Sequence, residues 1–143
     1  MPETIAIASD HAGYELKSIL VAELKALGFD VLDLGTNGPA SVDYPDYADA
    51  LAGALAEGRA RRGVAICGTG IGISIAANRH RHVRSGLCHD GTTARLARQH
   101  NDANVLALGA RVVGTETAKD CLKVFLSTEF EGGRHTGRIV KMS

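Results

Sequence analysis

Short runs of aliphatic and β-branched residues alternate along the chain with stretches in which apolar positions recur every three or four residues. Ile5 to Ser9, Phe29 to Leu34, Val64 to Cys67, Val83 to Cys88 and Val105 to Leu108 are near-continuous apolar runs of strand length, as expected of strands buried on both faces. Between the first two, Leu16, Ile19, Leu20, Leu24 and Leu27 form one helical stripe, and Gly28 supplies a stop. Tyr47 to Arg59, Ile71 to Asn78, Thr92 to Gln99 and Thr115 to Leu126 read as further helices. Such regular alternation predicts right-handed βαβ units. The expected fold is α/β: a single-domain, Rossmann-like three-layer sandwich over residues 1–143 with a five-stranded parallel sheet. After Leu126 the pattern dissolves, so residues 128–143 are expected to form a polar C-terminal arm over a crevice or a partner.

In sheets of this kind ligands bind beyond the carboxyl ends of the strands. Those positions are polar here. Strand one exits into Ser9-Asp10-His11, strand three into Cys67-Gly68-Thr69-Gly70-Ile71-Gly72, strand four into His89-Asp90 and strand five into Gly109-Ala110-Arg111. The segment Thr36 to Asp46, containing Asn37-Gly38-Pro39 and Tyr44-Pro45, reads as a long loop that walls the same crevice.

The glycine run after Cys67 lets the backbone turn sharply and converge several N–H groups on one anion. It lacks the Gly-Lys-Ser/Thr ending of a nucleotide P-loop and the Gly-x-Gly-x-x-Gly spacing of a dinucleotide loop. Ile73 stands where a cysteine phosphatase loop needs its Arg. A plain tight turn with an inert thiol is the competing reading. Cys67 itself lies where loop amides and a helix N-terminus favour a thiolate, the form that acts as base or nucleophile. Cys88 and Cys121 read as packing residues. Asp10 and His11 suit sugar hydroxyls and phosphate, or else a helix cap and a solvent-facing imidazole. His100-Asn101 closes a helix, where a helix-end charge and a general acid are both open readings. Arg111, Arg134 and Arg138 could grip a phosphate if the fold or a dimer gathers them.

Composition narrows the classes. Hydrophobic residues make up 45% and charged residues 22%, as in packed globular chains. Sixteen Lys+Arg balance sixteen Asp+Glu, so no general positive field draws the protein to nucleic acid or an anionic membrane. No apolar run reaches the roughly 18 residues that span a bilayer, and Met1 to Thr4 leads straight into strand-like sequence, so a cytoplasmic location is expected. Three widely spaced cysteines imply reduced thiols rather than a disulfide framework. Six histidines without a paired carboxylate motif give no zinc site to name. The basic run Arg79-His80-Arg81-His82-Val83-Arg84 falls at the end opposite the crevice and reads as a solvated turn, with nucleic-acid contact as its weak alternative.

Taken in order, Asp10-His11-Ala12-Gly13, Asp43-Tyr44-Pro45, the Cys67 to Gly72 loop, His100-Asn101, Gly109-Ala110-Arg111 and Arg134-x-x-x-Arg138 resemble the ribose/galactose isomerase family, and within it the type B ribose-5-phosphate isomerases. The resemblance implies cofactor-free interconversion of D-ribose 5-phosphate and D-ribulose 5-phosphate. It makes Cys67 the catalytic base, His100 the ring-opening residue and Thr69 its helper. In another branch a Glu follows the last loop glycine, at the position of Ile73, which cannot take a proton. Asp10 and Tyr44 would contact hydroxyls, and His11, Arg111, Arg134 and Arg138 would hold the phosphate. Asn101 and the loop Gly68, Gly70, Ile71 and Gly72 would hold the enediolate oxygens. The resemblance also implies homodimers, sometimes paired into tetramers, with sites at the subunit interface. An isomerase of allose or galactose 6-phosphate, and a non-catalytic sugar-phosphate-binding module, are the competing expectations.

Overall fold

The computed structural model describes residues 1–143. Strands β1 (Thr4–Ser9), β2 (Asp30–Asp33), β3 (Arg62–Cys67), β4 (Ser85–Leu87) and β5 (Val105–Gly109) alternate with helices α1 (Tyr14–Ala26), α2 (Tyr44–Ala56), α3 (Ile71–Asn78), α4 (Gly91–Asn101) and α5 (Thr115–Ser127). A sixth helix, α6 (Arg134–Met142), follows. The strands form one parallel sheet in the order β2-β1-β3-β5-β4.

Side chains alternate across this sheet, and the two faces differ in size. Ile5, Ile7, Val64, Ile66, Leu106 and Leu108 point to one face and pack against Leu16, Leu20 and Leu24 of α1, Ala94 of α4 and Leu122 and Phe125 of α5. Full burial of each such aliphatic side chain contributes about 1.5 to 3 kcal/mol. Ala6, Ala8, Ala65 and Cys67 point to the other, where α2 and α3 cover them through Ala48, Leu51, Ala52, Ile73 and Ala77. Small residues let these two helices approach closely. A methyl group at Gly63 would sit 2.6 Å from Leu51 Cδ1.

The chain leaves β1 toward β2 on one side and returns to β3 on the other, so the order reverses between β1 and β3. This reversal opens a crevice beyond their carboxyl ends. Asp10 follows β1 and Cys67 ends β3, flanking that opening.

Two expectations are corrected. Tyr44 does not lie in a loop: α2 starts there, a turn before the predicted Tyr47, because Pro45 falls in the first turn, where proline costs no hydrogen bond, while Asp43 sits extended at the N-cap without a side-chain hydrogen bond. The C-terminal arm is not irregular either, since α6 covers Arg134–Met142. Its only buried residue is His135, and its apolar residues, Ile139, Val140 and Met142, crowd its last turn, too short a stretch for sequence periodicity to reveal the helix. The strands match the predicted runs, with shorter hydrogen-bonded spans at β2 and β4. No helix is long and apolar enough to cross a membrane.

Candidate active site

The Cys67 loop is locked to the next strand end by the backbone. Ala110 N–H donates to Cys67 O at 2.9 Å and Arg111 N–H to Gly68 O at 2.8 Å. Gly70 adopts φ +78°, and a Cβ there would lie 2.8 Å from the Leu108 carbonyl carbon and 2.9 Å from Gly109 N, so only glycine fits. That conformation turns the Gly70 N–H onto Cys67 Sγ at 3.2 Å. Cys67 is 4% exposed. Its sulfur is therefore partnered by the backbone amide preceding α3 while the rest of the residue packs among alanines. Thr69 Oγ1 accepts from Ile71 N–H at 3.1 Å. Gly70 at the N-cap has no side chain to offer, so with the Ile71 N–H held by Thr69 the next first-turn amides, of Gly72 and Ile73, are left for an anion.

The other two cysteines differ. Burial pushes the Cys88 thiol up to about 12 and the Cys121 thiol up to about 11, which suits packing and not proton transfer.

Around the loop stand the other residues of the crevice. Asp10 is buried, with its N–H on Ile66 O at 3.2 Å and its Oδ1 accepting from Gly13 N–H at 3.1 Å. It thus serves the start of α1 with one carboxylate oxygen and retains the second. His11 Nδ1 accepts from Val42 N–H at 3.1 Å, which ties the segment before α2 to the end of β1 and places the ring proton on Nε2. The Tyr44 ring lies over Gly72, where an added Cβ would come 2.5 Å from Cζ and 2.9 Å from the hydroxyl. The Arg111 guanidinium lies over Gly68, 3.3 Å from the position a Cβ would take.

His100, Asn101, Arg134 and Arg138 are elsewhere. Helix α4 runs back from the end of β4 and delivers His100 and Asn101 just before β5 begins. Cys67 pairs in register with Gly109, at the far end of β5. The length of that strand, at about 3.3 Å per residue, separates the two groups by about 13 Å or more. Thr69 therefore does not meet His100 within one chain. Asn101 opens instead on a cleft of about 610 Å³ that also borders Arg79, Arg84 and Met142. The basic run here is partly pinned: His80 Nε2 lies 2.8 Å from Asp49 Oδ1, His82 Nε2 2.7 Å from Ala52 O, and Arg84 Nε donates to Asp102 O at 2.8 Å.

At this second end α6 folds back over α4. Gly132 (φ +69°) and Gly133 (φ +57°) make the reversal, and Glu131 N–H donates to Gln99 O at 3.1 Å. The His135 ring stacks on that of His100 with centroids 4.4 Å apart and planes 18° apart. Sequence reading assigned no role to Glu131 or His135, since nothing in their spacing relates them to His100. Their donor atoms and those of His100 lie within 4.8 Å of one another. Near-parallel rings, however, direct their nitrogen lone pairs side by side and not at one tetrahedral centre.

Comparison with known proteins fits this arrangement. Residues 5–142 match the family model described as Ribose/Galactose Isomerase. Ribose-5-phosphate isomerase B of Escherichia coli is 48% identical over 135 residues, covering 94% of this chain and 91% of that one. D-erythrulose-4-phosphate isomerase of Pectobacterium atrosepticum is 41% identical over 140 residues, covering 97% and 92%. The solved structure of ribose-5-phosphate isomerase B from Clostridium thermocellum aligns with a TM-score of 0.96 at 50% identity, covering 97% of this chain and 94% of that one. With sheet, strand-end loop and sequence agreeing over nearly the full length, the chain belongs to the ribose/galactose isomerase family and is an isomerase.

Proposed function

We propose that the protein interconverts D-ribose 5-phosphate and D-ribulose 5-phosphate through a cis-enediolate, with Cys67 as the base, in a site that two copies of the chain complete together. The observation that carries this reading is the Gly70 N–H donating to Cys67 Sγ at 3.2 Å, which fixes the sulfur at the end of β3, between the glycine loop and the crevice that opens beside β1. Relatives named for isomerisation of five-carbon and four-carbon sugar phosphates support the reaction class.

The chemistry follows from the groups present. The Cys67 thiolate takes the proton from C2 of the open aldose, and the electron pair moves into the C1–C2 bond as charge develops on the carbonyl oxygen. The Gly72 and Ile73 amides of the first turn of α3 face that charge, and one preorganised donor of this kind is worth about 3 to 4 kcal/mol of barrier. A proton passes from O2 to O1, and the Cys67 thiol returns its proton to C1, giving the ketose and restoring the thiolate. Asp10 and Tyr44 hold hydroxyls. His11 donates Nε2–H to the phosphate beside Arg111. Phosphate binding is remote from the bonds that change, and it holds the flexible open sugar in register.

Ring opening assigns His100 to proton transfer, with Asn101, Arg134 and Arg138 on the enediolate and phosphate. All four lie at the opposite end of the sheet from Cys67, so they reach a substrate there only from a second copy. Exposed apolar residues fit such an interface: Ile71 and Ile75 on α3 beside the crevice, Val140 and Met142 on α6.

A panel of four-, five- and six-carbon aldose phosphates, assayed for ketose formation, tests the assignment. Fastest turnover of ribose 5-phosphate is expected. Binding without turnover of any sugar would leave a sensor, and preference for a hexose 6-phosphate would move the substrate.

A further inference from the structure

His135 is 5% exposed, and its Nε2 has no hydrogen-bond partner. It is the only side chain that α6 buries, and it spends that burial on the face of His100. Glu131 Oε1 lies 3.5 Å from His135 Nε2 and 4.0 Å from His100 Nε2, so one carboxylate oxygen faces both rings. Burial, then the charges of Arg134 and His100, hold the His135 pKa below the ordinary histidine value; Glu131 opposes them and Arg138 adds to them.

We propose that His135 and Glu131 are positioning residues for His100: the buried His135 ring fixes the plane of the His100 ring, and the Glu131 carboxylate fixes which of its nitrogens carries the proton. The inference rests on the reading of His100 as the proton carrier of ring opening.

A half-exposed histidine at the end of a helix turns broadly about its last side-chain torsion. A ring stacked on one side removes that freedom, and the Glu131 to Gln99 backbone bond holds the carboxylate beside the same helical turn. At 4.0 Å the Glu131 carboxylate makes no hydrogen bond to His100 Nε2, but its negative charge biases the ring toward the tautomer with the proton on that nitrogen, so that Nδ1 keeps the lone pair that can accept a sugar proton. A misplacement of about 1 Å in such a group can cost about a hundredfold in rate.

Because His135 Nε2 donates to nothing, a phenyl ring should replace it. The variants His135→Ala, His135→Phe, Glu131→Gln and His100→Ala are compared for kcat and KM on ribose 5-phosphate, and the His100 tautomer is read from its ring ¹⁵N shifts. His135→Ala is expected to lower kcat about tenfold with KM within about twofold, a partial form of the misplacement cost. His135→Phe is expected to recover most of that kcat. The wild type is expected to show the Nε2–H tautomer, and Glu131→Gln a mixture. The proposal is overturned by an unchanged kcat in His135→Ala, by a loss confined to KM, by no recovery in His135→Phe, or by an unaltered tautomer in Glu131→Gln. A His100→Ala variant with full kcat would remove the reading on which the proposal rests. An inactive His100→Ala beside a fully active His135→Ala would sink the positioning pair alone.

Discussion

The two ends of the sheet are held by different means. At the carboxyl end the Cys67 loop is a backbone construction: the loops after β3 and β5 bond to each other through Ala110 and Arg111, and glycines at 70 and 72 admit neighbours that a methyl would displace. At the amino end side chains do the holding, through Arg62 with Glu3, Arg84 and Arg98 with Asp102, His80 with Asp49, and His100 stacked on His135. A cradle for developing charge must not move, and main-chain amides supply that rigidity. In the proposed two-copy site the amino end contributes side chains on helix ends, held by other side chains and not by the main chain.

The largest effect should come from the rigid end. Cys67→Ser removes the base and leaves the cradle, so kcat should fall by about a hundredfold to ten-thousandfold, as for other lost acid–base groups, while ligand binding persists. Solvent deuterium should no longer enter the substrate carbon. Exchange at the wild-type rate would take Cys67 out of the base role.

Mixing the two ends gives the next test. If each site joins the crevice of one copy to His100 of another, co-expressed Cys67→Ser and His100→Ala chains form mixed dimers with one intact site. About a quarter of wild-type activity should then return, half the dimers being mixed and each mixed dimer holding one of two symmetric sites. No activity above the single variants would place both groups in one chain's site and contradict the strand geometry.

The tail provides a smaller and more selective effect. Loss of one charge-assisted contact to phosphate is worth about 1.5 to 3 kcal/mol, so Arg138→Ala should raise KM about tenfold to a hundredfold. Turnover at saturation should change far less. An unchanged KM would detach α6 from the phosphate.

How much of this was legible beforehand divides along the same line. Buried strands and their exits announce themselves through continuous apolar runs broken by glycine and polar residues, so β1, β3 and β5 and the polar turns after them were readable. The start of α2 was missed because Tyr44-Pro45 looks like a turn unless Asp43 is taken as a cap. Helix α6 was missed because its apolar residues, Ile139, Val140 and Met142, fall in a single turn and leave no period. The stack of His135 on His100, and the distance from His100 to Cys67, depend on how α4 and α6 pack, which no local pattern encodes.

Gly70→Ala probes the rigid end without touching a catalytic side chain. A non-glycine residue at φ +78° is strained by about 1 to 3 kcal/mol, and its Cβ would press on Leu108 and Gly109 backbone that cannot yield. Lower thermal stability and a lower kcat should appear together, because the same shift pulls the Gly70 N–H from Cys67 Sγ. A destabilised variant with full kcat would show that the thiol does not depend on that amide.

The smallest expected effect belongs to the amino end and to pH. Hydrogen bonding to the Arg62 guanidinium, first among several causes, holds the Glu3 carboxyl below the usual glutamate value, with Arg62 Nε donating to Oε2 at 2.8 Å. A carboxylate whose folded pKa is depressed adds stability above its unfolded pKa of about 4.3, and that stability is lost as pH falls through the lower folded value. Glu3 is partly exposed, so the contribution should stay below about 1 kcal/mol. Glu3→Gln should therefore flatten the acid limb of a stability-versus-pH curve slightly and leave kcat alone. Because Arg62 also donates to Leu126 O at 3.1 Å, hydrogen exchange should quicken at the start of β1 and the end of α5 and not in the Cys67 loop. Equal quickening at both ends of the sheet would mean that the two are not independently held, and the comparison drawn between them would fail.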